Sequence, residues 1–598
     1  MNRQFAALCF ALALAVVPVA LAHSPTPGTN APGYGAAAPK PRAAKAGQAA
    51  VATTVEPSRG RQRGSRVGVE EVDAVFAKWS TSTPGCAVGV STDGKPVLAK
   101  GYGMADLEHD VRIAPDTIFE AGSVSKQFTA AAVLLLAREG KLSLDDQVRQ
   151  YIPELPDYPP PPGITTTGAG ETSPKPHAAK AGEAPGVATL HAAGARAMPL
   201  TIRHMLNHTS GLRDWGSVAG IAGWPRTTRV HTHAHVLDIV SRQRATNFTP
   251  GTQWSYSNTG FNLAAIIVAR VSNMPFPEFS RTRLFQPLGM THTSWRDDYT
   301  RIVKGRAMAY ESKTDGYHTL MPFENVYGNG GLLTTVGDLL KWNENFASPV
   351  VGDAAFVAEQ QTPGTFNDGR THGYALGLFV GTYKGLREVY HSGSTAGYQA
   401  FLTRFPDERV SVAVLCNSSS AQATQYAHAV ADAYLADRVK PSSSAPTLTA
   451  AQTKEAAGLY RSTLTGLPLK VGGERDALRG RTWTFEGHGG GATASDAYGT
   501  IEAYERVDPA KPTADELSQL AGTYASEEAE VSMIAAVDNG ALVLKHRPDV
   551  VITLTPLYAD AFGAGQLGTV IFTRDAAGRA TGFSVVQDRV WDMPFQRR

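Results

Sequence analysis

A serine and a lysine with S-x-x-K spacing are the first residues in this sequence that could do chemistry. Ser123 and Lys126 lie in the segment FEAGSVSKQFTAAAVLLLAREGKLSL, whose apolar residues predict a buried helix from Ser123 to Glu139. Residues three apart share one face of a helix, and N–H groups at a helix N-terminus stabilise a developing anion. A lysine in an apolar setting is shifted toward its neutral form, which can take a proton from a serine hydroxyl. The spacing therefore indicates a nucleophilic serine with a lysine base. A capping serine beside a lysine that extends to solvent is the alternative.

Two more short polar motifs follow along the chain. Tyr256 and Asn258 end the segment PGTQWSYSN, directly before an apolar helix predicted from Phe261 to Val271. The tripeptide His391-Ser392-Gly393 opens a region of predicted strands, at Tyr398–Phe405 and Val410–Cys416. The alternative to a functional Tyr256 is a buried tyrosine whose hydroxyl only finds a partner.

The order of these three motifs resembles that of the serine β-lactamase and penicillin-binding protein superfamily, and the tyrosine of the second motif is typical of its class C-like branch. Three other segments fit the same branch: LSLDDQVRQYIPELP after the serine, LTIRHMLNHTSGL at 200–212 and GNGGLLTTVGDLLKW at 328–342. The resemblance covers residues 67–437. It implies an α+β fold, in which helices flank an antiparallel sheet and a helical subdomain is added.

The resemblance also implies a role for each motif. Ser123 would be the nucleophile that accepts the acyl group, Lys126 its base, and Tyr256 a second proton relay. Asn258 would hydrogen-bond Lys126 and the substrate amide. The backbone N–H groups of Ser123 and Ser394 would form the oxyanion hole. The third motif, which consists of His391, Ser392 and Gly393, would line the substrate site. No cofactor or metal is implied.

The third motif departs from the usual β-lactamase pattern, because His391 stands where a lysine is common. A lysine offers a permanent charge to the carboxylate of a penicillin-like substrate, whereas a histidine with an ordinary pKa near 6.5 is mostly neutral at pH 7. Relatives with histidine at this point include peptidases that act on D-amino-acid peptides and esterases. We therefore expect esters or peptides, rather than β-lactams, to be the preferred substrates.

Composition and the start of the chain indicate an exported globular protein. The 598 residues are 42% hydrophobic with a formal net charge of +2, which excludes wholesale disorder. The part after residue 66 is slightly acidic, which argues against nucleic-acid binding. Residues 1–22 read as a signal peptide, with Arg3, an apolar run and the cleavage site Ala20-Leu21-Ala22. An uncleaved anchor is the alternative. We expect a secreted or periplasmic protein without a stable membrane span after cleavage.

Two low-complexity stretches are predicted to be disordered. Residues 23–66 form a basic tail rich in Ala and Pro, and residues 159–199 form an insertion within the folded region. The two stretches share a repeated segment, which reads PKPRAAKAG at 39–47 and PKPHAAKAG at 174–182.

Two cysteines remain after signal cleavage, and both lie in predicted strands. In the resembled fold the first and last strands of the sheet run side by side, so Cys86 and Cys416 could face each other and form a bridge in an oxidising compartment. Many strand pairs do not meet the geometry of a disulfide, and we therefore expect two buried free thiols.

Histidine clusters are the remaining candidates for a metal site. The candidates are His204 and His208 at i and i+4, and His231, His233 and His235 in VHTHAHV. The first pair has no third ligand in register, and the second group adjoins a predicted helix N-cap. We expect no metal site from either.

The composition changes after the hydrolase-like region. Residues 438–449 read as a Pro/Ser linker, and residues 450–598 as strands with period-2 patterning, including a hairpin of Val531–Val537 and Leu542–Lys545. The segments AGLYRS at 457–462 and AGTYAS at 521–526 begin two degenerate repeats. This part resembles the lipocalin-like barrel that follows the catalytic domain in some members of the superfamily. Its role would be a substrate gate or an oligomer contact, with a stabilising appendage as the alternative.

The leading function is an exported serine hydrolase that acts through an acyl-enzyme on an ester or amide, including peptides that contain D-amino acids. A β-lactamase or D-Ala-D-Ala carboxypeptidase is the alternative within the same chemistry. A catalytically weak penicillin-binding scaffold of the cell envelope is the alternative from another class. The expected partner is a small-molecule or peptide substrate, not a nucleic acid.

Overall fold

The structure is a computed structural model that describes residues 69–158, 199–438, 454–472, 481–485, 490–496 and 500–598. These residues belong to one unit, Ser65–Arg598. The predicted signal peptide and basic tail, the insertion apart from Pro199, and the linker apart from Arg438 lie outside the described residues. Within the described ranges, no helix has both the length and the apolar composition needed to cross a bilayer.

Helices and strands are numbered here in chain order. The helices are α1 (Val69–Val75), α2 (Lys126–Arg138), α3 (Ile202–Leu206), α4 (Trp215–Ile221), α5 (His233–Arg242), α6 (Asn258–Ser272), α7 (Phe276–Ser280), α8 (Val336–Asn345), α9 (Ala354–Gln360), α10 (Ala423–Leu435) and α11 (Ala514–Gln519). The strands up to residue 438 are β1 (Cys86–Thr92), β2 (Lys95–Tyr102), β3 (Met104–Asp106), β4 (Val111–Arg112), β5 (Phe119–Glu120), β6 (Ser294–Trp295), β7 (Tyr310–Lys313), β8 (Gly316–Thr319), β9 (Leu332–Thr334), β10 (Gly364–Thr365), β11 (Thr371–His372), β12 (Phe379–Tyr383), β13 (Leu386–Thr395), β14 (Tyr398–Phe405) and β15 (Val410–Cys416). The later strands are β16 (Gly458–Ser462), β17 (Pro468–Val471), β18 (Arg481–Phe485), β19 (Ala492–Asp496), β20 (Ile501–Val507), β21 (Gly522–Ser526), β22 (Val531–Asp538), β23 (Ala541–His546), β24 (Val550–Thr553), β25 (Thr555–Pro556), β26 (Ala561–Gly563), β27 (Thr569–Arg574), β28 (Ala580–Gln587) and β29 (Val590–Arg597).

A six-stranded antiparallel sheet organises the N-terminal domain, which comprises the described residues up to 438. Its order is β12-β13-β14-β15-β1-β2, so the first strand of the chain pairs with the last strand of the domain. The side chains of β15 alternate between two cores, because successive residues of a strand point to opposite faces. Val412 and Val414 pack in one core with α1 and α10, whereas Ala413 and Leu415 pack in the other with α2, α6 and α8. The predicted α+β fold with helices on both faces of the sheet is confirmed.

A disulfide joins β1 and β15, two neighbouring strands of this sheet. Cys86 and Cys416 are opposite each other in the register of β1 and β15, both are buried, and their sulfur atoms are bonded. The expectation of two free thiols is therefore wrong. Spacing alone could not decide this point, since bridging depends on a register between strands that are 330 residues apart in sequence.

The segment that carries Ser123 begins differently from the prediction. A 3₁₀ turn, Gly122–Ser125, precedes α2, which starts only at Lys126. The Ser125 hydroxyl donates to the Gly122 carbonyl at 2.6 Å. Gly122 has a φ of +51°, which glycine adopts without the strain a Cβ would bring. The tighter turn places Ser123 just before the N-terminus of α2. The helix α2 itself is buried along most of its length.

The C-terminal domain, the described residues from 454 onward, is all-β apart from short helical segments. One sheet of five strands has the order β17-β16-β20-β19-β18, and a second of nine strands has the order β24-β23-β22-β21-β29-β28-β27-β26-β25. The edge strands of the larger sheet, β24 and β25, are consecutive in the chain, so this sheet curls into a nearly closed barrel. The prediction of a barrel-like all-β domain is confirmed.

Each predicted repeat forms one of these sheets, and both begin with the same contacts. The hydroxyl groups of Tyr460 and Tyr524 donate to the carbonyl four residues earlier, at 3.0 and 2.8 Å. The guanidinium of Arg506 lies over the first ring and that of Arg597 over the second, at 5.9 and 6.0 Å. The equivalent contacts explain why the two segments share the same residues.

The nine-stranded sheet packs directly on the N-terminal domain. Residues of α4 and α5 share an apolar core with the inner residues of the barrel. Arg213 forms a buried ion pair with Glu528 at 2.6 Å, and the Arg244 N–H donates to the same carboxylate at 2.7 Å. The two domains therefore form a continuous structure on the side of α4.

Candidate active site

The S-x-x-K residues lie together at the start of α2. Lys126 is buried, and its Nζ is 3.1 Å from Ser123 Oγ, 2.8 Å from Asn258 Oδ1 and 2.7 Å from the Asn329 carbonyl oxygen. A neutral amine has two N–H donors and one lone pair. Donation to the two oxygens of Asn258 and Asn329 directs the lone pair toward the Ser123 hydroxyl. The site can therefore hold an amine that accepts the serine proton.

Burial lowers the pKa of Lys126 well below its usual range, because the charged form loses its solvation. The positive charge of Arg589 lowers the pKa further, whereas the carboxylate of Asp214 opposes the shift. Asp214 is buried and accepts from the Asn258 N–H at 2.7 Å and from the Ser217 N–H at 3.1 Å. Desolvation therefore wins over the nearby carboxylate, and the neutral amine is favoured.

Tyr256 stands beside the serine and the lysine. Its hydroxyl hydrogen-bonds Ser123, and the surrounding packing raises its pKa above the usual value near 10. Lys126 Nζ and the guanidinium carbon of Arg589 each lie 4.8 Å from the centre of its ring. The His208 ring packs on it at 4.2 Å. The phenol is thus protonated at neutral pH and is placed to donate a proton near Ser123.

The third motif lies on β13, which packs against the turn that carries Ser123. A Cβ on Gly393 would lie 2.0 Å from the Ala121 carbonyl oxygen and 3.1 Å from the Ser123 nitrogen. A Cβ on Gly122 would lie 2.6 Å from the Ser394 nitrogen. Only glycines allow this approach, which brings the two backbone amides of the predicted oxyanion hole to the same wall of the pocket. Ser392 and Ser394 line that pocket as well.

His391 is buried under the same wall and makes two hydrogen bonds. Its Nδ1 is 2.6 Å from the Ser392 carbonyl, and its Nε2 is 2.9 Å from the Tyr374 hydroxyl. Because a carbonyl only accepts, Nδ1 carries the proton and Nε2 accepts from Tyr374. Burial lowers the pKa of His391 to about 3. The imidazole is therefore neutral, and it orients Tyr374 rather than Tyr256, whose ring centre is 6.3 Å away.

The pocket in front of Ser123 has a volume of about 600 Å³ and includes residues that sequence reasoning missed. Those residues are Arg226, Trp254, Asn329, Phe379 and Arg589. Asn329 lies in the segment GNGG that supported the resemblance, which was a usable signal. Trp254 lies in PGTQWSYSN, two residues before Tyr256, and the other three carry no local motif. Arg589 belongs to the C-terminal domain, so only the packing of the two domains brings it to the pocket.

The histidines considered as metal ligands have other contacts. His204 and His235 occupy capping boxes at the starts of α3 and α5. His231 Nε2 is 3.1 Å from the Trp224 carbonyl, and His233 Nε2 is 3.0 Å from the Tyr327 carbonyl. His208 accepts from the Ser257 N–H at 3.2 Å, and its place against Tyr256 was not foreseen.

Comparisons with known proteins show which family this chain resembles. The family described as Beta-lactamase matches residues 65–436. The chain is 25% identical to Penicillin-binding protein 4* of Bacillus subtilis (strain 168) over 350 residues, which are 55% of this chain and 66% of that protein. It is 26% identical to a D-aminopeptidase of Gluconobacter oxydans (strain 621H) over 341 residues, 56% of each chain. The matched region thus spans less than two thirds of either relative.

A solved structure extends the similarity in fold to the C-terminal domain. The octameric penicillin-binding protein homologue from Pyrococcus abyssi superposes with a TM-score of 0.50 at 20% identity, over 89% of this chain and 100% of that one. The family match covers more than half of the present chain, and the residues of all three motifs line one pocket. The chain belongs to the beta-lactamase family, which groups serine β-lactamases with penicillin-binding proteins.

Proposed function

We propose that this protein is an exported serine hydrolase that cleaves amides or esters through an acyl-enzyme on Ser123. The observation that carries the proposal is the position of Lys126 Nζ, 3.1 Å from Ser123 Oγ with its two other partners both acceptors. Burying an amine in this way costs stability, because the amine loses its solvation. A catalytic role explains why that cost is retained, whereas a non-catalytic scaffold would gain nothing from it.

Acylation follows from the contacts in the pocket. Ser123 Oγ attacks the substrate carbonyl carbon while its proton passes to Lys126 Nζ. The N–H groups of Ser123 and Ser394 stabilise the negative charge that develops on the carbonyl oxygen. Tyr256 then protonates the leaving nitrogen or oxygen and recovers a proton from Lys126. Water attacks the ester on Ser123 in the second half-reaction, and the same groups return their protons.

Two observations support amide or ester substrates built on D-amino acids. A relative at 26% identity is a D-aminopeptidase. The neutral His391 provides no charge for the carboxylate of a penicillin at the position of the usual lysine. A carboxypeptidase or β-lactamase is the second candidate, and the cation of Arg589 in the pocket favours it.

Export is supported by the signal peptide predicted at residues 1–22 and by the Cys86–Cys416 bridge. Disulfides persist in oxidising compartments such as the periplasm and the exterior. Fractionation of cells that express the full chain tests this point, since cytoplasmic retention of an uncleaved protein would contradict it.

Covalent labelling tests the chemistry. Treatment with a fluorophosphonate or with benzylpenicillin should add the mass of one covalent adduct to the peptide that contains Ser123. Ser123→Ala should abolish the adduct and lower turnover by several orders of magnitude. Ser312→Ala, which changes an exposed serine of β7, is the matched control and should label normally. An adduct on another residue, or full activity of Ser123→Ala, would refute the assignment. Turnover of nitrocefin, p-nitrophenyl esters and D-amino-acid amides then ranks the substrates.

A further inference from the structure

A hairpin of the C-terminal domain enters the active-site pocket. Strands β28 and β29 are joined by a two-residue turn, Asp588-Arg589, with Gln587 paired to Val590. Arg589 lines the same pocket as Ser123. The structure thus brings a residue near the end of the sequence to the nucleophile, which lies more than 400 positions earlier.

The tip of this hairpin is held in place by the N-terminal domain. The Arg589 carbonyl accepts from the Asp214 N–H at 3.2 Å and from Asn247 Nδ2 at 3.0 Å. Asn247 Oδ1 in turn accepts from the Trp591 N–H at 3.0 Å. The ring of Trp591 packs on Phe248 with centres 4.9 Å apart. Because the backbone on both sides is fixed, the Arg589 side chain extends from a defined point.

The guanidinium of Arg589 has no acidic partner among the described residues. It lies over the Tyr256 ring at 4.8 Å, and Arg589 is one of the residues that line the pocket. The other arginine in the pocket, Arg226, forms an ion pair with Glu324, to which its Nε donates at 2.8 Å. A guanidinium has five N–H donors in a fixed fork that matches a carboxylate. Arg589 is therefore available to a ligand in a way that Arg226 is not.

The charged side chains that line the pocket in the described residues are all cationic. The described lining of the pocket contains Arg226 and Arg589 and no aspartate or glutamate. Asp214 is not among the lining residues, and its carboxylate accepts hydrogen bonds from the N–H groups of Asn258 and Ser217. An anionic group on a ligand would meet a cation there, whereas an ammonium group would meet no carboxylate. This argues against a substrate that is recognised by its free amine.

We propose that Arg589 is a specificity-determining residue that binds the carboxylate of a short peptide substrate, and that the C-terminal domain thereby completes the active site. The proposal rests on the proposed hydrolase function and names its substrate class. His391 cannot supply this charge, since it is buried, neutral and occupied by Tyr374 and Ser392. Arg589 of the C-terminal domain thus supplies the positive charge that a lysine at position 391 would otherwise provide.

Paired substrates test the proposal on the full chain. N-Acetyl-D-alanyl-D-alanine and its C-terminal carboxamide differ only in the charge of one group. The wild type should prefer the carboxylate form, and Arg589→Gln should lower the ratio of the two kcat/KM values about 10- to 100-fold, the effect of a lost hydrogen bond to a charged group. Arg589→Glu should reverse the preference. Rising salt should lower the ratio in the wild type, because ions screen the attraction.

The matched control is Arg579→Gln, which removes an exposed arginine from another turn of the same domain, where it pairs with Asp575. This control should keep the wild-type ratio. Arg589 also contacts Tyr256, and a role through the proton relay would lower both kcat/KM values equally. An equal loss on both substrates, or an unchanged ratio in Arg589→Gln and Arg589→Glu, overturns the proposal.

Labelling of Ser123 by an uncharged fluorophosphonate separates this inference from the proposed function. A wild type that is labelled and cleaves both substrates without discrimination would leave the hydrolase in place and refute the role of Arg589. A wild type that is not labelled would refute the hydrolase itself. Circular dichroism of each variant confirms that the fold is retained, which we expect because the contacts at the hairpin tip use the Arg589 backbone.

Discussion

Gly393→Ala should impair catalysis through the backbone alone. The added methyl group would lie 2.0 Å from the Ala121 carbonyl oxygen, so β13 and the turn that carries Ser123 must separate by about 1 Å to restore van der Waals contact. The Ser394 N–H lies on the strand that moves, and the Ser123 N–H lies on the turn. The two donors of the proposed oxyanion hole would then no longer meet the same oxygen.

The expected loss can be estimated from each part of this change. Misplacement of a catalytic group by 1 Å costs about 100-fold in rate, and loss of one oxyanion donor costs about 100- to 1,000-fold, or about 2.7–4 kcal/mol of transition-state stabilisation. Overpacking should also lower the free energy of unfolding by about 1–3 kcal/mol. The rate should therefore fall far more than the fraction of folded protein at room temperature.

The assay is the rate of fluorophosphonate labelling together with kcat/KM on a neutral p-nitrophenyl ester. Gly381→Ala is the matched control, because it makes the same change on the neighbouring strand β12, where the nearest atom to the new Cβ is 4.0 Å away. The control should react like the wild type. The reasoning would be refuted if folded Gly393→Ala were labelled within about threefold of the wild-type rate.

The remaining predictions concern the relay, the histidine and the disulfide. Lys126→Ala and Tyr256→Phe should each abolish acylation in folded protein, and the double variant should cost little more than either single one in stopped-flow labelling, since the groups act as a unit; additive losses would argue against a shared role. His391 has a pKa of about 3 and stays neutral from pH 8 down to pH 5, so the kcat/KM ratio of anionic to neutral substrates should not rise as the pH falls toward 6. A rise that disappears in His391→Gln would contradict the assigned neutral state. Cys86→Ser with Cys416→Ser should lower the free energy of unfolding by about 2–5 kcal/mol in urea titrations, without loss of labelling at Ser123.

Local patterns in the sequence determined the elements that carry the motifs. Segments rich in β-branched, aromatic and other apolar residues identify β14 and β15 with their observed bounds, although Gln399, Thr403 and Arg404 interrupt the apolar residues of β14. The order of the three motifs led to the family and to its α+β fold. The start of α2 was predicted three residues too early, since the 3₁₀ turn at Ser123 results from the close approach of β13, which lies about 270 positions later.

Contacts between distant segments decided the rest of the site. The register of β1 and β15 places two cysteines opposite each other, and no spacing in the sequence reports a register between strands from opposite ends of a domain. The neutral state of His391 depends on its burial in the folded chain. Arg589 lines the pocket of Ser123 only because the barrel packs on α4 and α5. The types of the proposed catalytic residues follow from the chemistry assigned to them, and are therefore readable in the sequence. Their electrostatic surroundings depend on which surfaces meet in the folded chain, and that is set by tertiary packing.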